Sequence, residues 1–537
     1  MARETLFLGT VITVDPTQPR ADALLVRDGR IVAVGAEGQV QPQASPDAEI
    51  VKLGDRAVLP GFVEAHGHPT DTAVALSRYT VDIRPVVLAT GDEVMDAIRK
   101  GVADRPDGAF FTGWDGLLQE GLGEPTIQQL DEIGGTTPIV IMHNSGHVVY
   151  FNSAAARASG VDKDTPDPVG SHWVKDADGE LTGKGFEVGT LFALLGPTLQ
   201  KAAAELPRLL ATYLTSLNAA GITTVSDMSW DNAKQPALDA LRASEHGITA
   251  RIRLYEMSAP GKAASVAPGT GDDLVKQIGI KTWADGSPWV GNILISFPYL
   301  DSPGTRTIGV EPGSHGSANY TREQLDEIVE QYFPDGWQLA CHVHGDRAID
   351  MVLDCWEALL ERHPRADHRL RMEHVGAMTP AQYTRAAALG ATASLFVDHV
   401  YYWGDVLVDE LFGEEHGAPW ANARAAVDAG LRISFHNDGS VTPAEPLRNM
   451  SVAITRTTRS GRRYGGAEGV SLDEAIRAQT IDAAWQLFSE NEVGSLEPGK
   501  YADLVVLSRD PYAVDPAELP SLEILATYLA GEKVFAG

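Results

Sequence analysis

The sequence predicts an α/β protein built on a (β/α)8 barrel, with a cap insertion over one end and a small β domain drawn from both termini. Three patterns lead there. Eight short apolar β runs alternate with amphipathic segments through the middle of the chain. Roughly 150 residues separate the first run from the second, far more than an ordinary βα loop needs. Both ends of the chain are β-rich.

Taken in order, residues 5–14 and 23–34 are β-rich, with Asp28-Gly29 inside the second run as a turn between two strands, and 50–59 form a third run. Residues 502–507 and 524–535, with a turn at Gly531-Glu532, match them at the other end. One β domain is therefore expected from 1–59 plus 490–537, with the barrel over 60–489. The barrel runs are 63–66, 223–227, 251–256, 278–283, 339–344, 370–374, 392–397 and 431–438. Helical patterns between them cover 206–219, 322–332, 348–362, 380–388 and 421–429. The insertion, about 69–220, has its own apolar run at 138–142 and is read as a cap.

The composition excludes several classes. The chain has 537 residues, 44% hydrophobic and 22% charged, which is ordinary for a globular protein with a large core. Its 43 Lys and Arg against 73 Asp and Glu give a net charge of −30, which argues against nucleic acids and anionic membranes as partners. Two cysteines, Cys341 and Cys355, support neither a disulfide framework nor a Cys-based zinc finger. The N-terminal residues lack a basic segment followed by an apolar one, and no stretch reaches the ~20 apolar residues of a membrane span. The expectation is a soluble, cytoplasmic protein acting on a small molecule, with a homodimer as the default assembly.

Polar residues recur where the β runs end: His66 and His68, Asp227, Lys281 with Asp285, His342 with His344, His374, and Asp438. Barrel active sites lie at that end because the strand tips converge there. Strand alternation points His66 and His68 the same way, as a pair of imidazole ligands for a divalent ion. Lys281 has two readings. As an ammonium it pairs with Asp285. As a carbamate, formed by addition of carbon dioxide to the neutral amine, it bridges two metals. Asp438 is either a proton carrier beside a metal-activated water or an Asp-Gly turn with Gly439. Aromatic residues Phe110, Phe111, Trp114, Trp283, Trp289, Tyr401, Tyr402 and Trp403 fall in or near the active-end loops. They either line an apolar substrate pocket or pack the cap on the barrel.

The segments PGFVEAHGH (60–68), SGHVVYFNSAA (145–155), DGELTGKGFE (178–187), IKTWADGS (280–287), HVHGDRAID (342–350), RMEHVG (371–376), SFHNDGSVTP (434–443) and VGSLEPGKYADLVVLSRDP (493–511) together resemble the amidohydrolase superfamily. Within it they are most similar to the amidohydrolase-3, YtcJ-like branch that includes N-substituted formamide deformylases. The resemblance implies a distorted TIM barrel with a composite β-sandwich from both termini. It also implies one or two divalent ions, zinc foremost, on His66, His68, carboxylated Lys281, His342, His374 and Asp438. Asp438 would act as base and then as acid. Glu187 would be an additional metal or substrate ligand, and His344 a substrate-facing or supporting residue. His147 either orients the substrate carbonyl or is structural. The fifth run reads His342-Val343-His344-Gly345, without the His-x-x-Glu of superfamily deaminases, so a nucleobase deaminase is not expected. The implied activity is hydrolysis of a non-peptide carbon–nitrogen bond, in an N-substituted amide or formamide. Ester, lactone or carbamate hydrolysis at the same site is the alternative, and a non-catalytic binding protein on the same fold is a third reading.

Overall fold

The computed structural model describes residues 4–537. Eight parallel strands form the barrel: Phe62–Glu64, Ile222–Trp230, Arg251–Met257, Val275–Trp283, Gln338–Val343, Arg371–His374, Thr392–Leu395 and Ile433–Phe435. Each corresponds to one of the eight predicted runs, and neighbours in sequence are neighbours in the sheet. The expected helices also form: Leu206–Ala219 and Arg322–Tyr332 match residue for residue, and Asp346–Arg362 starts two residues early.

The barrel is distorted at its seam. The first and eighth strands are joined through Gln479 and Glu64 rather than a strand ladder. The Gln479 main-chain carbonyl accepts the Val63 N–H at 2.9 Å. The Gln479 amide donates to the Phe435 carbonyl at 3.0 Å. Glu64 Oε1 accepts the Asn437 N–H at 2.7 Å. Both strands are three residues long, too short for a full ladder, so the main chain and side chain of Gln479 and the Glu64 carboxylate satisfy the backbone there.

The two chain termini build one continuous seven-stranded mixed sheet. Its central strand, Glu49–Pro60, runs parallel to Glu4–Ile12 and antiparallel to Leu504–Leu507, so the two halves meet on it. Alternation sends Leu6 and Leu25 to one apolar cluster and Phe7, Leu24 and Val26 to another, which supplies the two faces expected of a composite β domain. The chain passes into the barrel at Gly61, where a Cβ would lie 2.2 Å from Thr223 Oγ1. A buried ion pair, Arg251 Nε to Asp503 Oδ2 at 2.8 Å, clamps the barrel to the C-terminal segment.

The insertion carries a six-stranded sheet in the order His172–Lys175, Leu181–Phe186, Val148–Phe151, Ile139–His143, Ala109–Trp114, Val81–Asp82. Phe111 packs under the helix Gly91–Asp104 with Val94 and Ile98. Phe110, one residue earlier, faces the other way, toward Leu191, Leu194 and Leu195 of the helix Glu187–Ala203. That second layer lies over the active end of the barrel. Cys341 and Cys355 are buried and unpaired. Among the described residues no helix is long and apolar enough to cross a membrane.

Candidate metal centre

His66 and His68 leave the first strand on the same side, as alternation requires, with ring centroids 5.4 Å apart. His66 Nδ1–H donates to Glu373 Oε2 at 2.7 Å, and Glu373 Oε1 in turn accepts from Arg371 Nε. That carboxylate fixes the His66 tautomer and leaves Nε2 facing the centre, 3.5 Å from Asp438 Oδ1 and 3.5 Å from Lys281 Nζ. His68 Nδ1 shares a hydrogen bond with Ser229 Oγ at 2.9 Å, and Ser229 donates to Asp71, which is ion-paired to Lys234. His68 Nε2 then meets the same Asp438 oxygen at 3.2 Å. Asp438 adopts φ +52°, a left-handed conformation that turns its carboxylate inward from the end of the eighth strand. Burial pushes its carboxyl up, but His66 and His68 outweigh that and hold it well below the ordinary carboxylate range.

The second group of imidazoles comes from the fifth and sixth strands. His374, at φ +72°, turns into the centre where the strand alternation breaks. Its Nδ1 is hydrogen-bonded to His436 Nε2 at 2.9 Å, and His436 Nδ1 to Ser394 Oγ at 2.8 Å. Its Nε2 is buried and has no partner. His342 Nε2–H donates to the Gly286 carbonyl at 2.8 Å. His344 Nδ1 is buried without a partner as well. Burial pushes His342, His344 and His374 well below the ordinary imidazole range, so all three are neutral and carry free lone pairs.

Lys281 is fully buried between these groups. Burial pulls its amine down to about 8. The alternative pairing with Asp285 is not formed. Asp285 instead accepts the backbone N–H groups of His344 at 2.9 Å, Gly345 at 2.8 Å and Leu294 at 3.2 Å, which fixes the loop after the fifth strand. Asp227 is likewise structural: it accepts from the N–H and hydroxyl of Thr70 and so secures the short helix Pro69–Ala75.

Ligand atoms of His66, His68 and Asp438 lie within 4.8 Å of one another. The same holds for His342, His344 and His374, and for His66, His374 and His436. Buried, unpartnered imidazole nitrogens facing one another are costly unless something satisfies them, and a divalent cation does so. The donor set therefore fits one or two divalent ions.

Two predicted residues come from the cap. His147 reaches down to the barrel, its ring centroid 4.7 Å from that of His342. Its Nδ1–H donates to Glu187 Oε2 at 2.8 Å, and its carbonyl accepts the Glu187 N–H at 2.7 Å. Asn292 donates to the other carboxylate oxygen of Glu187 at 2.6 Å. Burial lowers the His147 basicity, and the adjoining Glu187 carboxylate more than reverses it. Glu187 sits at φ +69° and belongs to none of the three ligand groups.

A cavity of about 150 Å³ opens onto these residues. Its polar end holds His66, His68, Lys281, His342, His374, Asp438 and His147; its walls are Val74, Phe110, Met142, Leu191, Phe192, Leu195, Met257, Trp283 and Val441. Phe110 and Trp283 thus line the pocket. Phe111, Trp114, Trp289 and Trp403 are core residues, and Trp289 and Trp403 stack on each other at 4.8 Å.

Glu373, Arg371, His436 and Ser394 escaped the sequence reading. His436 stands two residues before Asp438, the same spacing that marked the His66–His68 pair, and Glu373 stands two after Arg371 on one strand face.

The model of the amidohydrolase family matches residues 49–535. The chain belongs to the amidohydrolase family. This amidohydrolase is similar to the N-substituted formamide deformylase of Arthrobacter pascens, 30% identical over 97% of this chain and 96% of that protein. It is 25% identical to YtcJ of Bacillus subtilis over 98% of both chains. An uncharacterized metal-dependent hydrolase from Pyrococcus horikoshii has the same fold, with a TM-score of 0.73 at 22% identity, covering 96% of this chain and 99% of that one. Family and ligand set together make this amidohydrolase a metal-dependent hydrolase of a non-peptide carbon–nitrogen bond.

Proposed function

We propose that this amidohydrolase hydrolyses a small N-substituted amide or formamide whose nitrogen carries an uncharged, apolar group. The observation that carries the reading is the convergence of the His66 and His68 Nε2 atoms on one Asp438 oxygen at the floor of an apolar-walled cavity. A cavity of this volume limits the enclosed part of the substrate to about the size of one benzene ring. Lys281, buried at the polar end, is the one Lys or Arg among the cavity's lining residues, which disfavours an anionic substrate. The formamide deformylase relative supports the choice of substrate class.

In this reading His66, His68 and Asp438 would hold one ion and His342 and His374 a second, with Lys281, as the carbamate, as a further oxygen donor between the two groups. Burial lowers the basicity of Lys281 and so raises the share of neutral amine, the form that reacts with carbon dioxide. Nitrogen and carboxylate donors favour zinc. Such ions, when bound, act as Lewis acids and lower the pKa of water from ~16 toward ~7. Asp438 accepts the proton of the attacking water and returns it to the leaving nitrogen, for which its inward-turned carboxylate is suited. His147 faces the carbonyl of the substrate from the cap, and Glu187 and Asn292 hold it there. The apolar wall from Phe110, Leu191 and Phe192 receives the N-substituent and excludes water. We divide the chain into a β domain (1–59 with 490–537), a barrel (60–489) and a cap (about 69–220). Two free, buried cysteines favour a reducing, cytoplasmic setting.

The test is amine release from a series of N-alkyl and N-benzyl formamides and acetamides, alongside esters of matched shape. Release of amine with little turnover of the esters supports the reading. Turnover confined to the esters refutes it.

A further inference from the structure

His344 has a position that neither substrate contact nor support of another ligand explains. It is 3% exposed, and it does not line the cavity, although His342 and His374 do. A residue that orients a neighbouring ligand does so by hydrogen-bonding it, yet His344 Nδ1 is buried without a partner. Its ring lies nearly parallel to that of His374, 12° off at 4.9 Å, and 5.1 Å from that of His342.

The neighbouring rings each have one nitrogen committed outward. His374 gives Nδ1 to His436, and His342 gives Nε2 to the Gly286 carbonyl. Each therefore keeps one nitrogen for the centre, and the free one of His374, Nε2, is buried without a partner. One ligand nitrogen from each of His342, His344 and His374 falls within 4.8 Å of the others. The backbone around His344 is rigidly set, since Asp285 accepts the N–H groups of both His344 and Gly345. The fifth strand thus repeats the device of the first: a His-x-His pair puts two imidazoles on one side of a strand end.

We propose that His344 is a third imidazole ligand, beside His342 and His374, of the second metal position. The inference rests on the metal-dependent reading of the site and adds a ligand to it. A neutral set of three imidazoles with room for further ligands is a donor arrangement that catalytic zinc accepts.

The test is cobalt(II) titration of the full-length metal-free protein, followed by visible absorption and by metal analysis, for the wild type, His344→Ala and His344→Gln. The expected result is two equivalents in the wild type. In both variants the first equivalent binds as before, and the second binds about 100-fold or more weakly, since loss of even a supporting residue costs 10–100-fold. Added imidazole restores the second equivalent and its absorption band in His344→Ala, an effect that a purely structural role would not give. If alanine prevents folding, the glutamine variant reads the same quantity. Two equivalents with wild-type affinity and an unchanged spectrum in a folded variant overturn the assignment alone, as does a wild type that releases amine with one ion bound. A wild type that takes up no metal overturns the functional reading with it.

Discussion

Replacing Glu373 by glutamine should weaken the centre and the fold together, and the two effects are separable. Glu373 is fully buried, with His66 on one oxygen and Arg371 on the other, both also buried. Burial pushes its carboxyl up, but Arg371 and His66 outweigh that, so it is ionised. Glutamine keeps the volume and removes the charge. Arg371 is then an uncompensated buried cation, a defect that typically costs about 3–5 kcal/mol. His66 exchanges a charge-assisted hydrogen bond for a neutral one, a loss of about 1–1.5 kcal/mol, or roughly tenfold. That agrees with the ~10–100-fold usually lost in metal affinity when a supporting partner of a ligand histidine is removed. The assay is competitive metal titration at neutral pH beside urea denaturation of the metal-free protein. The double variant Arg371→Met, Glu373→Leu removes both charges and should recover most of the stability while the metal affinity stays low. Glu373→Gln with metal affinity within twofold of wild type and stability within about 0.5 kcal/mol would refute the reasoning, because surface-like tolerance has no place at a fully buried ion pair.

Asp438→Asn should still take up metal at saturating concentration but lose turnover by about 10²–10⁴-fold, the usual worth of a general acid–base group; near-normal turnover removes Asp438 from the mechanism. Glu187→Gln should leave metal content unchanged and lower kcat by about tenfold, because the brace on His147 weakens from charge-assisted to neutral; a loss of metal instead would make Glu187 a ligand. Phe192→Asp should cut kcat/KM for N-benzyl amides by about 10–100-fold with little effect on the smallest N-methyl substrates, as expected if the wall buries an aromatic group. Gln479→Ala should destabilise the protein by about 1–3 kcal/mol in denaturation, since the Phe435 carbonyl at the barrel seam loses its donor.

The parts of the site that were legible in the sequence obey simple periodicity. His66 with His68 and His342 with His344 follow the two-residue repeat of a strand, and each pair ends a run whose apolar residues are buried in the barrel. The eight runs could be found because parallel strands covered on both faces read as continuous apolar stretches. What periodicity hid lies where the backbone leaves it. His374, Asp438 and Glu187 all adopt positive φ, so the direction of their side chains does not follow from position along a strand. On a regular strand Glu373, beside His374, would point away from the centre, whereas the turn at His374 brings both next to His66. The link from Glu187 to His147 spans 40 residues and depends on the antiparallel pairing of the cap strands Val148–Phe151 and Leu181–Phe186, which no local pattern announces. Lys281 could not be told from a lysine paired to Asp285 until Asp285 was found bonded to three backbone N–H groups.

The proposed reaction requires the strand-end histidines and Asp438 to hold metal for hydrolysis of an N-substituted amide. The most direct measurement is amine release from N-benzylformamide by the same preparation as purified, after chelation, and after zinc is restored. Amine release should disappear on chelation and return with zinc in proportion to the metal bound. Metal-loaded protein that releases no amine from this or any other amide of the series, or release that survives complete removal of metal, would contradict the proposed reaction.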